Sequence, residues 1–173
     1  MFEFKSQISN TPTLIYFSKF LIFIILFQST VFIVHSNIEA SQMVQIAITN
    51  VVAYVYQLLA DPVIIDGNTL KHVNSSRFLI VDNECTGLIL LASVCAVVMA
   101  FNYSWQAKLK MIVMAILILQ SENIIRITHL LFVLTKENSD FDIYHLYIWQ
   151  VINFITALFV IGAVERFFRD QEL

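Results

Sequence analysis

The stretch LKMIVMAILILQSENIIRITHLLFVL, residues 109–134, decides the class of fold. It is longer than the ~20 residues that an α-helix needs to cross a bilayer. From its middle onward its apolar character is interrupted by polar side chains, among them Gln120, Ser121, Glu122, Asn123 and Arg126. Charged side chains are costly inside a membrane and usually pair or serve a function. The stretch therefore predicts a transmembrane helix that carries part of a functional site.

The composition of the whole chain agrees with a membrane location. Of its 173 residues, 58% are hydrophobic and only 13% are charged, and the mean hydropathy is +0.76. A soluble domain carries about 25% charged residues. This excludes a soluble monomer and predicts one polytopic membrane domain over residues 1–173.

Several classes of function receive no support. The net charge of −3 is small and the basic residues are scattered, so we expect no nucleic-acid partner. Two cysteines, Cys85 and Cys95, do not make a disulfide framework. We also expect neither a metal nor a cofactor.

Four apolar runs are predicted to cross the membrane. They are Leu14–Val34, Thr86–Phe101, Leu109–Leu134 and Leu146–Val164. The first run is too long for the apolar core of a typical signal peptide and has no clear cleavage site after it, which favours a retained leading span.

The segment Ile38–Leu59 has a different pattern. Its polar residues recur at helical spacing, namely Gln42, Gln45, Thr49 and Asn50. This pattern is typical of an amphipathic helix that lies in the interface or packs on other helices. A fifth span remains the alternative for this segment.

Residues 62–83 predict extended structure outside the spans. Pro62–Ile65 and Asn68–Val73 flank Asp66-Gly67, which favours a tight hairpin turn. A further apolar run, Arg77–Val81, leads into Cys85. The predicted fold class is thus an all-α membrane protein with about four transmembrane helices, an interfacial amphipathic helix and a small extracytoplasmic β-hairpin.

Basic residues set the predicted orientation. They fall before the first span, in the loop between the second and third spans, and after the fourth span: Lys5, Lys108, Lys110, Arg166 and Arg169. By the positive-inside rule these regions are cytoplasmic. Both termini are then inside, and the hairpin faces outside.

This orientation brings three reactive side chains to one membrane level. Cys85 begins the second span, Arg126 lies ~26 Å along the third, and His145 begins the fourth, all near the outer face. A helix amino terminus and a nearby cation lower a thiol pKa, so Cys85 is expected to be a thiolate nucleophile. Arg126 would stabilise the thiolate or an oxyanion, and His145 would move a proton.

Two alternatives stay open from the residues alone. His129 lies three residues after Arg126 and competes with His145 as the proton carrier. Glu122 lies four residues before Arg126, and a structural ion pair between them would fit a non-catalytic membrane scaffold or assembly subunit. Asn123 shares the Arg126 face and would bind the guanidinium or a substrate carbonyl.

These residues resemble the exosortase/archaeosortase superfamily, in its short form. The resemblance is carried by Glu84-Cys85-Thr86-Gly87-Leu88, by Asn123-Ile124-Ile125-Arg126-Ile127 and by His145, and it extends over Pro62–Val164. It implies a catalytic core in residues 62–164, after a leading span (14–34) and an amphipathic segment (38–59).

The resemblance also implies an activity. It implies a cysteine peptidase or transpeptidase that cleaves carboxy-terminal sorting signals on membrane protein substrates and transfers the new end to an acceptor such as a lipid. Cys85 would be the nucleophile, Arg126 the oxyanion or thiolate stabiliser and His145 the proton shuttle. Glu84, Gly87, Glu122, Asn123 and His129 would support them.

Overall fold

Helices make up most of the chain in the computed structural model, which describes residues 11–73, 76–136 and 140–169. Lys5, used above for the orientation, lies outside these ranges. The helices are α1 (Thr11–Ser36), α2 (Ile38–Leu59), α3 (Leu88–Ala100), α4 (Trp105–Thr135), α5 (Phe141–Ile143) and α6 (Trp149–Arg169). A 3₁₀ turn (Asn83–Thr86) precedes α3, and a π-helical turn (Tyr144–Ile148) joins α5 to α6.

Helices α1, α3, α4 and α6 form an antiparallel bundle. Lys19 Nζ near the start of α1 donates to Asn102 Oδ1 just after α3 (2.8 Å), and Lys108 Nζ near the start of α4 donates to Met99 O (3.1 Å). The bundle core is apolar and consists of Val94, Val98, Ala107, Met111, Ala115, Leu119, Ala157, Val160 and Val164. Side chains of α1 face outward along most of its length, as expected for a helix in contact with lipid.

Three short strands form an antiparallel sheet beside the bundle. They are β1 (Val63–Asp66), β2 (Thr69–His72) and β3 (Phe78–Ile80), in the order β1-β2-β3. The turn between β1 and β2 is at Gly67-Asn68, where Gly67 has φ +57°. The predicted hairpin is thus present, its turn is one residue later than predicted, and the run Arg77–Val81 adds a third strand.

A second core joins the sheet to α2 and to the end of α4. Its buried members are Val52, Ala53, Tyr56, Val63, Leu70, Leu79, Val81, Ile127 and Leu131. Helix α2 also buries polar residues of its predicted polar face, including Gln45 and Thr49, whereas Gln42 and Asn50 are exposed. The polar face is therefore partly turned inward.

The predicted fold class is confirmed, but the long helices differ from the predicted spans. In the described residues, four helices are long and apolar enough to cross a membrane: Thr13–Ser36, Ile38–Leu59, Trp105–Thr135 and Phe141–Val164. Segment 86–101 is not among them, because Gly87 and Phe101 leave the helical conformation and limit α3 to 13 residues. By length and composition, α2 is instead the fourth helix that could cross a membrane.

The contacts of α2 nevertheless place it at one end of the bundle. Near its start, Ser41 Oγ donates to Asn83 Oδ1, just before α3 (2.6 Å). Near its end, the ring of Tyr56 packs on that of Phe132, close to the end of α4 (4.6 Å between centroids). Because α3 and α4 are antiparallel, these two places are at the same end. Helix α2 thus packs on other elements of the protein, as predicted, and its position relative to a membrane stays a prediction.

Candidate active site

Cys85 lies in the 3₁₀ turn Asn83–Thr86, which we call the cysteine turn. The turn forms because Asp82 caps it: Asp82 Oδ1 accepts hydrogen bonds from the backbone N–H groups of Glu84 (3.0 Å) and Cys85 (3.2 Å). Gly87 ends the turn with φ +71°, a conformation that favours glycine. The chain then enters α3 at Leu88.

Asn123 of α4 holds the cysteine turn against the bundle. Its Nδ2 donates to Cys85 O (2.9 Å), and its side chain is buried. A β-carbon at Gly87 would lie 3.2 Å from Asn123 Cγ, so the close approach of turn and helix also requires glycine there. Asn123 thus binds the backbone of the cysteine turn, whereas the expected partners were the Arg126 guanidinium or a substrate carbonyl.

Cys85 and His145 line the same cavity, which we call the thiol cavity. It has a volume of about 280 Å³. The other lining residues are mostly apolar: Phe78, Leu79, Ile80, Asp82, Ile127, Leu130, Leu134 and Phe141. The imidazole of His145 stacks on the ring of Phe141 (5.5 Å between centroids). Two of the three predicted catalytic residues therefore meet in one half-enclosed space.

Arg126 lies in a neighbouring cavity of about 230 Å³, the guanidinium cavity. It is lined by Glu84, Gly87, Ile89, Leu90, Ser93, Leu119, Glu122, Asn123, Arg126 and Asn153. Asn153 of α6 connects the two charged groups there. With its amide oriented by its hydrogen bonds, Asn153 donates to Glu122 Oε1 (2.6 Å) and accepts from Arg126 Nη1 (2.9 Å).

The Glu122–Arg126 ion pair, left open above as the alternative, is not a direct contact. Within the described ranges, the one ion pair within 4.0 Å joins His72 and Asp61 (3.4 Å). Asn153 lies between Glu122 and Arg126 instead, because it reaches both from the facing helix. The spacing of four residues on α4 allows Glu122 and Arg126 to pair, but Asn153 of α6 bonds to both of them.

The Arg126 guanidinium has a buried donor without a partner. Its Nε is buried and has no hydrogen-bond partner, a property shared only with His35 Nε2 among the described side chains. A buried donor without a partner is costly. The group also lies near enough to Cys85 to lower the thiol pKa. It is therefore placed to receive a negative oxygen next to the cysteine turn.

The expectation of a thiolate at neutral pH is wrong for this structure. The pKa of Cys85 is raised to about 11: burial is the largest cause, the Asp82 carboxylate also raises it, and the nearby Arg126 guanidinium lowers it by less. The physical reason is that the assembled turn partly buries the thiol and places it beside the Asp82 carboxylate that caps the turn. The thiol is thus neutral at rest and needs a base.

His129 is outside both cavities. Its Nδ1 accepts a hydrogen bond from Trp149 Nε1 (3.2 Å), and its ring contacts those of Tyr144 and Trp149. Glu84 is exposed and lines the guanidinium cavity. The structure therefore brings His145, and not His129, into the cavity of Cys85.

Asp82 and Asn153 are site residues that the sequence reasoning missed. Asp82 follows a strand and resembles an ordinary turn residue. Asn153 is a carboxamide within the apolar fourth run, and its position among apolar residues was the available signal. No group of three or more His, Cys, Asp or Glu side chains in the described ranges is close enough to hold a metal ion.

A family model described as transmembrane exosortase matches residues 13–162, which is most of the chain. No curated protein and no solved structure matches.

Proposed function

The chain belongs to the transmembrane exosortase family, and from this we propose that it is a membrane-embedded cysteine peptidase or transpeptidase. Its substrates are membrane proteins with a carboxy-terminal sorting signal, which consists of a short motif, a hydrophobic helix and a basic cluster. Cleavage takes place on the outer face of the membrane. The observation that carries the proposal is the thiol cavity, where Cys85 and His145 meet beside Arg126.

The neutral thiol defines the first step. Because the pKa of Cys85 is about 11, the proton leaves as the sulfur attacks the scissile carbonyl. His145 accepts this proton, since a neutral imidazole is an effective base near pH 7. The sulfur–carbon bond forms and the carbonyl becomes a tetrahedral oxyanion.

Arg126 stabilises the negative charge that develops on the carbonyl oxygen in this step. Its unpartnered Nε is a donor in a buried site, where hydrogen bonds to an oxyanion are strongest. Asn153 holds the other side of the guanidinium through Nη1. The group is thereby fixed before the substrate arrives and needs little reorganisation.

Collapse of the intermediate completes the cleavage. The carbon–nitrogen bond breaks, the leaving amine takes the proton from His145, and Cys85 is left as a thioester. Water then releases a free carboxyl end, or an acceptor such as a lipid with a nucleophilic headgroup takes the acyl group. Mass measurement of the processed carboxyl end separates hydrolysis from transfer.

The test is processing of a reporter in cells. The reporter carries, at its carboxyl end, a motif, hydrophobic helix and Arg/Lys cluster taken from a protein of the same genome. We expect Cys85→Ala to reduce processing about 10³-fold or more, because no other group replaces the nucleophile. The matched control is Cys95→Ala, a buried thiol on α3, which is expected to stay within twofold of wild type.

Two results of this experiment distinguish a peptidase from a non-catalytic membrane scaffold. Full processing by the Cys85→Ala protein would contradict the catalytic proposal. The scaffold alternative predicts instead that Arg126→Ala, Glu122→Ala and Asn153→Ala lower the amount of folded protein, with no effect of Cys85→Ala on any phenotype. Immunoblots of membrane fractions measure the amounts.

The two histidines give a second test of the same site. His145→Ala is expected to reduce processing about 10²-fold, the usual contribution of one proton-transfer group. His129→Ala should stay within about threefold, because His129 lies outside the thiol cavity and contacts only aromatic residues, through ring packing and the hydrogen bond from Trp149. The reverse order of the two effects would assign the proton transfer to His129.

A further inference from the structure

The strand β3 has an unpaired edge, and its register shows which backbone groups point there. Val81 N donates to Asn68 O (2.9 Å), and Leu70 pairs with Leu79 two residues along. Hydrogen-bonded pairs alternate in an antiparallel ladder, so the backbone groups of Leu79 face β2. Those of Phe78 and Ile80 therefore point away from the sheet.

This unpaired edge faces the thiol cavity. Phe78, Leu79 and Ile80 all line that cavity. Side chains of consecutive strand residues point to opposite faces, so a cavity lined by three in a row meets the strand at its edge. In the described part of the chain, no other element forms a backbone hydrogen bond with Phe78 or Ile80.

We propose that the substrate binds by adding a strand to the open edge of β3. This rests on the proposed function: the added strand is the extended segment of the sorting signal that precedes the scissile bond. Main-chain hydrogen bonds to Phe78 and Ile80 hold the segment, as in other cases of strand addition. The carbonyl that follows it is thereby delivered to Cys85.

Hydrogen-bonding complementarity identifies a peptide as the occupant. Unpaired N–H and C=O groups at a strand edge are a template for another extended chain. A lipid tail offers neither donors nor acceptors to them. The edge is also continuous with the candidate catalytic residues, since Cys85 and His145 line the same cavity.

The direction of the added strand follows from the path of the chain. After β3 the protein passes through the cysteine turn directly into α3. A sorting signal has the same order, with its motif before a hydrophobic helix. The added strand is therefore parallel to β3. Three residues of β3 extend ~10 Å and pair with about three residues of the substrate.

Cysteine cross-linking tests this placement. The protein carries Cys85→Ala and Cys95→Ala, which removes both native thiols, and a single new cysteine from Ile80→Cys. Reporters carry one cysteine at each of the six positions before the scissile bond. We expect oxidation to cross-link alternate positions at least fivefold more than their neighbours. The control Thr69→Cys has its side chain on the same face but one strand farther from the edge, and its yields should be at least fivefold lower.

A proline pair tests the hydrogen bonds themselves. Ile80→Pro removes an edge N–H and is expected to lower reporter processing at least tenfold. Ile65→Pro is the matched control on the opposite edge. The backbone N–H and C=O of Leu70 face Leu79 on β3. The backbone groups of Ile65, which pairs with Leu70 from β1, therefore point away from β2. Processing by Ile65→Pro should stay within twofold, with both variants present at wild-type amounts.

The outcomes separate this inference from the proposed function. Uniform cross-linking along the six positions, equal yields at Thr69→Cys, or cross-links between two copies of the chain through Ile80→Cys would each overturn strand addition. If wild type processes the reporter in that case, the peptidase proposal stands. A wild-type protein that leaves the reporter uncut overturns the peptidase proposal itself.

Discussion

Asp82 acts on Cys85 in two opposing ways. Its carboxylate caps the cysteine turn through two backbone N–H groups and so fixes where the thiol lies. The same negative charge raises the thiol pKa, in addition to the larger effect of burial. The thiol is thereby fixed in position but is less reactive at rest, and under the proposed function its activation falls to His145.

Replacement of Asp82 separates these two effects. Asp82→Asn keeps an oxygen that accepts the capping hydrogen bonds but removes the charge. The pKa of Cys85 should fall, so more thiolate is present at pH 8 and alkylation by iodoacetamide should be about threefold to tenfold faster. The pH at half-maximal alkylation should move to lower values. The measurement uses the Cys95→Ala protein, and an unchanged pH profile would contradict the role of the Asp82 charge.

Sequence reasoning located the residues whose positions follow from where a helix begins or how deep it reaches. Cys85, Gly87 and Arg126 are of this kind, since the ends of apolar runs can be read directly. The choice between His145 and His129 could not be made, because helical phase is lost across the residues between α4 and α5. The protonation of Cys85 was predicted wrongly, because it depends on a cap and on burial that only the assembled turn creates.

At the scale of elements, α2 supports the cysteine turn from the side. Gln45 Nε2 donates to Asn83 Oδ1 (2.9 Å), and Gln45 Oε1 accepts from Asn68 Nδ2 (3.0 Å). Asn68 also donates to Val81 O (3.0 Å). One glutamine thus connects the helix, the turn between β1 and β2, and the cysteine turn. The polar spacing in Ile38–Leu59 predicted an amphipathic helix, but not that Gln45 would bind the cysteine turn.

The importance of this network can be measured with two glutamines of α2. Gln45→Leu removes three hydrogen bonds of a buried side chain and should lower the free energy of unfolding by about 2 kcal/mol. Gln42→Leu is the matched control, since Gln42 is exposed, and should change it by less than about 0.5 kcal/mol. Unfolding in detergent, followed by tryptophan fluorescence, provides the comparison. Equal effects would show that the network does not stabilise the fold.

At the scale of the whole molecule, two cores are stacked along the bundle axis. The bundle core joins α3, α4 and α6, and the second core joins α2, the sheet and the end of α4. Helix α4 is long enough to belong to both. Arg126 shares its cavity with Leu119 of the bundle core, and Cys85 and His145 share theirs with Leu79 and Ile127 of the second core, so the site depends on both cores being assembled.

The position of α2 relative to the membrane gives a prediction at this scale. Single cysteines from Ile38→Cys and Leu59→Cys, in a protein without Cys85 and Cys95, mark its two exposed ends. Because both ends of α2 contact the same end of the bundle, we expect a membrane-impermeant thiol reagent to label both from outside intact cells. Gln106→Cys, near the start of α4, should be labelled only after lysis.

Labelling of Ile38→Cys and Leu59→Cys from opposite sides would contradict this arrangement and make α2 a span. Labelling of Gln106→Cys in intact cells would reverse the proposed orientation. The three variants together therefore test the topology without reference to catalysis.

The shortness of α3 has a consequence for the membrane around it. Gln28 of α1 bonds Ile89 O, eight residues or roughly 12 Å before α1 ends, and Asn123 of α4 bonds Cys85 O, twelve residues or roughly 18 Å before α4 ends. The cysteine turn is thus recessed below the ends of its neighbours. For the proposed peptidase, this geometry requires a substrate whose extended segment and hydrophobic helix join at the same recessed level, about two to three helical turns below the ends of α1 and α4.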